Sequence, residues 1–130
     1  MKVLNVNVAP YNNEGGRYFV VEVDDKNIES FVFRYDSEVV GLLNLINDPR
    51  ISTINTVVST LPEKLTAPIV LKILKGAEIT ITQQKKTNSY GDYIVTKVTT
   101  ITNVEDSAII NVVNGVKALL DPMKALESLL

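Results

Sequence analysis

Acidic side chains come closest to a catalytic set in this sequence. Several carboxylates fall in its first third: Asp24, Asp25, Glu29, Asp36 and Glu38. Carboxylates bind magnesium and act as acid–base pairs, so this cluster raises the hypothesis of a metal-dependent nuclease. Turn and helix-cap chemistry accounts for the same positions, because Asp favours turns and acidic residues suit the first turn of a helix. We therefore favour a structural role for them and predict no catalytic residue and no metal site.

The residue types that are missing exclude several reaction classes. The chain has no Cys and no His, which removes thiolate nucleophiles, zinc–thiolate sites and the commonest general base. A serine nucleophile would then need a lysine base, and the sequence contains no Ser-x-x-Lys. Gly15-Gly16-Arg17 lacks the Lys-Ser/Thr of a phosphate loop. We predict a protein that is not an enzyme and that needs no cofactor.

One polar segment combines basic and aromatic side chains. It lies at the tip of a long β-hairpin predicted over Ala77–Asn103, where two β-rich runs flank a Gly-containing turn. Lysines pair with phosphates and tyrosines stack on bases, but tyrosine also anchors protein interfaces. The predicted contact residues, for nucleic acid or for a protein partner, are Lys85, Lys86, Asn88, Tyr90, Tyr93 and Lys97.

Length and charge set the scale of the molecule. With 130 residues and a net charge of −2, we predict one domain over residues 1–130, without a general attraction to nucleic acid or anionic lipid. Asn5 and Asn7 interrupt the apolar run that a signal peptide needs, and no segment is apolar over the length of a bilayer. We expect a cytoplasmic protein without membrane contact.

Alternating apolar and polar residues predict three strands at the N-terminal end, over 2–9, 18–24 and 28–35. Together with the hairpin they form a mostly antiparallel sheet of about five or six strands, if Ser52–Ser59, rich in Thr and Val, is also a strand. In the return strand of the hairpin, Ile94 and Val98 fall on one face but Val95 and Ile101 on the other. Such a strand is either covered on both faces or bulged.

Helical periodicity appears in three places. A stripe from Val39 to Ile46 predicts one helix, a second is expected to begin at Thr66 with Pro68 in its first turn, and a third begins near Asn103. Asp121-Pro122 is expected to restart this last helix. The predicted fold is therefore of the α+β class, a meander plus a long hairpin with helices packed against them and a C-terminal helical tail.

The tail carries more apolar side chains than one sheet face easily accepts. Burial of such a face against a second copy is common, so we predict a homodimer. The residues predicted for its interface are Val113, Val116, Leu120, Met123, Leu126 and Leu130. The open alternative is that the tail covers the other face of its own sheet.

In its overall composition, the chain resembles small uncharacterised accessory proteins of archaeal viruses that infect hyperthermophilic hosts. The resemblance rests on the absence of Cys, His and Trp, on the abundance of Ile, Val, Asn and Thr, and on segments such as ITITQQKKTNSYGDYIVTKVTTITN. It implies a viral accessory protein in the host cytoplasm, with a host protein or ribonucleoprotein as partner, such as a CRISPR effector. It includes no motif, so no functional residue is transferred.

Overall fold

A three-stranded antiparallel meander forms the N-terminal part of the protein. The structure is a computed structural model that describes residues 1–10 and 16–129, with side chains described as far as residue 120. The strands are β1 (Val3–Pro10), β2 (Arg17–Val23) and β3 (Ser30–Phe33), in the order β1-β2-β3. Alternate side chains of β2 and β3 are buried on the inner face, as the period of two predicts: Phe19, Val21, Val23, Phe31 and Phe33.

Helices cover that inner face. They are α1 (Asp36–Gly41), α2 (Pro49–Val58), α3 (Glu63–Leu71) and α4 (Asp106–Leu129), and short 3-10 turns follow α1 over Leu42–Leu45 and α3 over Lys72–Leu74. Apolar residues from the meander, all four helices and the base of the hairpin form one buried cluster. The predicted α+β class with antiparallel strands and a helical C-terminal part is confirmed over the described residues.

The predicted strand at Ser52–Ser59 is wrong, because this segment lies in α2. Asp48 accepts a hydrogen bond from the Arg50 N–H at 2.9 Å, and Pro49 occupies the first turn, where its missing N–H costs nothing. Ile51, Ile54 and Val58 then fall on the buried side of the helix. Helix capping and burial at helical spacing outweigh the β-propensity of Thr and Val.

The second predicted helix begins three residues earlier than expected, at Glu63, so Pro68 lies inside α3 instead of in its first turn. Proline has no N–H to offer the carbonyl four residues before it, which here belongs to Lys64. The Arg17 guanidinium donates a hydrogen bond to that carbonyl and also pairs with Asp36 at 3.0 Å. Arg17 thus replaces the missing helix bond and connects β2 to α1 and α3.

We expect Arg17→Met to lower the free energy of unfolding by about 1.5 to 3 kcal/mol, the usual contribution of hydrogen bonds to charged groups. Urea unfolding of the purified variant measures this. The loss should be smaller when Pro68→Ala is also present, because alanine at that position supplies its own N–H to the Lys64 carbonyl. An equal loss in both backgrounds would contradict the link between Arg17 and Pro68.

The long hairpin is confirmed, as β4 (Glu78–Asn88) and β5 (Gly91–Thr102). Among the described residues it forms a separate two-stranded sheet, which makes five strands in two sheets instead of one continuous sheet. Within the part of the chain that the structure describes, the backbones of the two sheets meet at the start of β1 and β4, through a bridge between Lys2 and Glu78. There the Val3 N–H donates to the Ala77 carbonyl, and the Gly76 N–H to the Val3 carbonyl, both at 2.9 Å.

Helix α4 runs without a break across Asp121-Pro122, so the predicted restart is wrong. The apolar positions keep their helical spacing across this point. The cost of Pro122, which is one lost hydrogen bond and a ring clash with the carbonyl of Ala118, does not end the helix. Ile109, Val112 and Val116 are buried in the core of their own chain. Over the described residues, no helix is long and apolar enough to cross a membrane.

A candidate binding arm

The outer part of the β4–β5 hairpin extends away from the rest of the protein. Near its base, Ile79, Ile101 and Val98 are buried, but every residue from Thr82 to Val95 is exposed. We call Thr82–Lys97 the arm. At about 3.4 Å per residue, the strand from Thr82 to Asn88 reaches about 20 Å. Such a two-stranded ribbon has no core of its own and exposes both of its edges.

A β-bulge marks the base of the arm. The pairing shifts between Thr80, which is opposite Thr100, and Ile81, which is opposite Val98. Thr99 is therefore unpaired, and its hydroxyl donates to the Thr80 carbonyl at 3.1 Å. The extra residue brings Ile101 back to the same face as Val98 and Ile94, which confirms the second alternative for the two-faced strand. Bulges also bend and twist a strand, so this one sets the direction of the arm.

The turn at the tip holds one tyrosine in solvent. The Asn88 side-chain oxygen accepts a hydrogen bond from the Tyr90 N–H at 2.8 Å, and Gly91 has a φ of +119°, which favours glycine. Asn88, a predicted contact residue, therefore has a structural role in the turn. Tyr90 is 97% exposed, more than any other aromatic side chain that the structure describes, so it is readily available to a partner.

The arm has two chemically different faces. Residues opposite each other in the register share a face, so Lys86 with Tyr93, Gln84 with Val95 and Thr82 with Lys97 form the outer face. The inner face continues the core-facing side and holds Lys85 with Ile94, Thr87 with Asp92 and Gln83 with Thr96. The structure thus groups three predicted contact residues, Lys86, Tyr93 and Lys97, and places Lys85 on the other side.

Lys85 is also partly neutralised. Its ammonium group lies 3.0 Å from the Asp92 carboxylate, which accepts a hydrogen bond from the Thr87 hydroxyl at 2.6 Å. Two contacts hold the pKa of Asp92 below its ordinary value: the hydrogen bond from Thr87, which has the larger effect, and the hydrogen bond from Lys85. All three groups are on the surface, so the pair contributes little to overall stability. Its effect is local order near the tip of the arm.

We expect Thr87→Val to raise the pKa of Asp92 more than Lys85→Met does, as the carboxyl carbon shift reports in an NMR titration. Because the pKa of Asp92 is lowered in the folded protein, the contribution of its ionised form to the stability of the arm is fully present above the ordinary pKa of about 3.9. That contribution disappears as the pH falls through the folded pKa. Lys86→Met, on the other face, is the control and should leave the titration unchanged. An unchanged titration in Thr87→Val would contradict the assignment.

The carboxylates of the first third do not converge on one site. Asp25 accepts hydrogen bonds from the backbone N–H groups of Asn27 and Ile28, and Asp24 accepts one from that of Lys2 at 2.8 Å. Asp36 is paired with Arg17. Among the side chains that the structure describes, in residues 1–10 and 16–120, no three acidic groups lie close enough together to hold a metal ion. The hydrogen bonds of Asp25 fit the turn role that we favoured, and Asp24 instead bonds to the backbone at Lys2. The helix-cap role is not found for Asp36, because it pairs with Arg17 and α1 begins without a side-chain cap hydrogen bond.

The predicted tail interface is only partly accessible. Val116 is buried in the core of its own chain, and Val113 and Leu120 are partly buried. The side chains of Met123 and Leu126, and the whole of Leu130, lie outside the described residues. The part of α4 around Val113 and Val116, which was predicted to meet a second copy, therefore packs on the core of its own chain.

An apolar groove beside the base of β5 was not predicted. Phe33 and the 3-10 turn after α1 line one wall, with Leu42 and Leu45, and residues Val95–Val98 line the other. Leu45 and Val95 are both 37% exposed. The sequence predicted the helical stripe from Val39 to Ile46, but not its position next to β5. Glu38 adds a negative charge to the same groove.

A search of protein-family models, curated proteins and solved structures finds no match to this chain. Its function is therefore inferred from the geometry of the arm and the groove.

Proposed function

We propose that this chain is a non-enzymatic binding protein that contacts its partner through the arm. The observation behind the proposal is that a regular β-ribbon projects from the folded body with every residue from Thr82 to Val95 exposed. A hairpin without a third strand or a covering helix is only marginally stable in water. A partner that covers the arm accounts for its length, because a short turn between β4 and β5 would complete the body equally well.

The exposed side chains of the arm fit a protein interface. Ile94 is 64% exposed and lies between Tyr93 and Val95, which are also exposed, while Tyr90 projects from the tip. Tyrosine is enriched among the residues that dominate binding energy, and isoleucine and valine supply apolar area around it. The polar residues of β4 keep the free arm hydrated. This distribution favours a binding surface on β5 over one that includes both strands of the arm.

The resemblance in composition extends the proposal to the partner. It favours a viral accessory protein that acts in the host cytoplasm on a host protein or ribonucleoprotein complex. A homodimer is part of the same proposal, with either the tail or the arm as its interface. The exposed part of α4 includes Ile110, and the tail remains an alternative through Leu120 and the turns beyond it.

Site-specific photo-crosslinking tests the arm as the contact element. A photoreactive phenylalanine at position 90 or 93 should form adducts with a partner in host extract, and mass spectrometry identifies it. The same group in place of Leu65, an apolar residue of α3 that is 51% exposed, is the matched control. Equal adducts from position 65, or none from the arm, would contradict the proposal.

Nucleic acid is the second candidate partner, favoured by the charge distribution. The arm holds three lysines and one Asp, a net charge of +2, which leaves −4 for the rest of a chain of net charge −2. Lys86 and Lys97 share the outer face with Tyr93. Two lysines with an aromatic side chain between them form a minimal binding surface for single-stranded nucleic acid.

If nucleic acid is the partner, Lys86→Ala and Lys97→Ala should each weaken binding and reduce the salt dependence by one phosphate contact. That is about 0.7 to 0.9 log units of affinity per log unit of salt, measured by gel shift or fluorescence anisotropy. Lys85→Ala makes the same charge change on the inner face, where Asp92 already pairs with Lys85. It should have the smaller effect, and equal effects at all three lysines would contradict recognition by the outer face.

A further inference from the structure

The two edges of the arm differ in their tendency to pair with another strand. The β4 edge carries polar residues with adjacent lysines, Lys85 and Lys86, and lysine is typical of edges that resist pairing. The β5 edge carries Tyr93-Ile94-Val95, all good strand formers. Among the described residues, β5 pairs with no strand other than β4. The β5 edge is therefore an open template for a further strand.

The same strand has complementary features at its two ends. Tyr90 projects beside the start of β5 at the tip, and the groove formed with Leu42 and Leu45 lies along residues Val95–Val98 at the base. A second β5 that runs antiparallel to the first brings each tip to the base of the other. Self-complementarity of this kind is what a two-fold symmetric contact requires.

We propose that a second copy of this chain pairs with the free edge of β5. The two β5 strands run antiparallel and are related by a two-fold axis perpendicular to the plane of the sheet. In the register centred on Ile94, Ile94 lies opposite Ile94 of the partner subunit. Tyr93 then lies opposite Val95 of the partner subunit, an aromatic pair with a β-branched residue of the kind that stabilises sheets. Tyr90 of the partner subunit lies opposite Val98, beside the groove.

The pairing joins two ribbons into one four-stranded sheet and places the two bodies at opposite ends. The lysine-rich β4 strands become the outer edges, where lysine discourages further pairing. Because the axis is perpendicular to the sheet, both outer faces point to the same side. Lys86 and Lys97 of the two copies then add to one positive surface. This inference rests on the homodimer of the proposed function and names its interface, while the outer faces of the arms stay open to a further partner.

Disulfide trapping tests the register without background, because the chain has no cysteine. Ile94→Cys places two thiols directly opposite each other, and Cα atoms of antiparallel pairs are about 4.5 to 5.5 Å apart, within the range for a disulfide. Mild oxidation should convert this variant to a covalent dimer. Lys85→Cys has its side chain on the same face, but on β4, and should remain monomeric.

Sedimentation provides the second measurement. The wild type should sediment as a dimer at tens of micromolar, and Ile94→Lys should sediment as a monomer. Because Ile94 is exposed, this variant should stay folded, with an unchanged circular dichroism spectrum. Leu126→Asp with Leu130→Asp, which disrupts the tail, should remain a dimer. A monomeric wild type, equal trapping of the two cysteine variants, or loss of the dimer in the tail variant alone would overturn the proposal. Adducts of the photo-crosslinker with another protein report on the proposed function separately.

Discussion

Partner capture should be lost when Asn-Gly replaces residues 83–96, while the shortened protein stays folded. The replacement joins Thr82 and Lys97 by a two-residue turn, the same loop length as that between the paired Asn88 and Gly91. It removes almost the whole arm but none of the residues in the buried cluster. We expect pull-down of the partner to fall to background and the sedimenting dimer to become a monomer.

The control for this prediction is stability. The free energy of unfolding of the shortened protein in urea should stay close to that of the wild type, because exposed residues contribute little to it. Its circular dichroism should lose only the strand signal of the arm. Leu65→Ser, which changes an exposed residue of the body, should leave capture intact. A folded, shortened protein that still captures the partner at full strength would show that the contact lies on the body.

Phe19→Ala should cause the largest loss of stability of any single change described here. Phe19 is fully buried in the central strand of the meander and is paired with Val8 on one side and Phe33 on the other. Truncation of a buried phenylalanine costs about 3 to 5 kcal/mol, against a typical total of about 5 to 15 kcal/mol. Urea unfolding gives the difference directly.

Val32→Ala is the matched control, because Val32 lies on the outer face of the neighbouring strand and is exposed. It should lower the free energy of unfolding by no more than about 1 kcal/mol. Similar losses for the two variants would mean that the inner face of the meander is not the centre of the core.

Period-two alternation was sufficient to predict β2, β3 and the base of the hairpin, where one face of each strand is buried and the other exposed. In β1 it predicted the strand but not its burial, because only Val3 is buried and Leu4 and Val8 are exposed. The prediction from β-propensity failed at Ser52–Ser59, because the Asp48-Pro49 cap decides the structure there. The prediction from helix-start signals placed the beginning of α3 too late. The Lys64 carbonyl, which Pro68 leaves without its helix hydrogen bond, accepts one from Arg17. Arg17 is far away in sequence, so no local pattern reveals this contact.

For the candidate site, the sequence indicated a segment but not its internal arrangement. Basic and aromatic residues marked the tip of the hairpin. The division of Lys85 from Lys86 and Lys97 depends on the register, and the pairing of Lys85 with Asp92 depends on it too. The groove beside β5 depends on how Leu42 and Leu45 pack, which is a tertiary contact. The exposure of Ile94 and Val95 likewise follows from the distance between the arm and the body.

The junction between β1 and β4 also affects synthesis on the ribosome. Val3 exchanges hydrogen bonds with Gly76 and Ala77, which leave the ribosome only after more than half of the chain has been made. At about 5 to 20 residues per second, that delay lasts about 4 to 15 seconds. During this time the meander can pair internally while the outer edge of β1 waits without its neighbour. The nascent chain therefore carries an unprotected strand edge, and a chaperone that covers short extended segments would act on it in this interval.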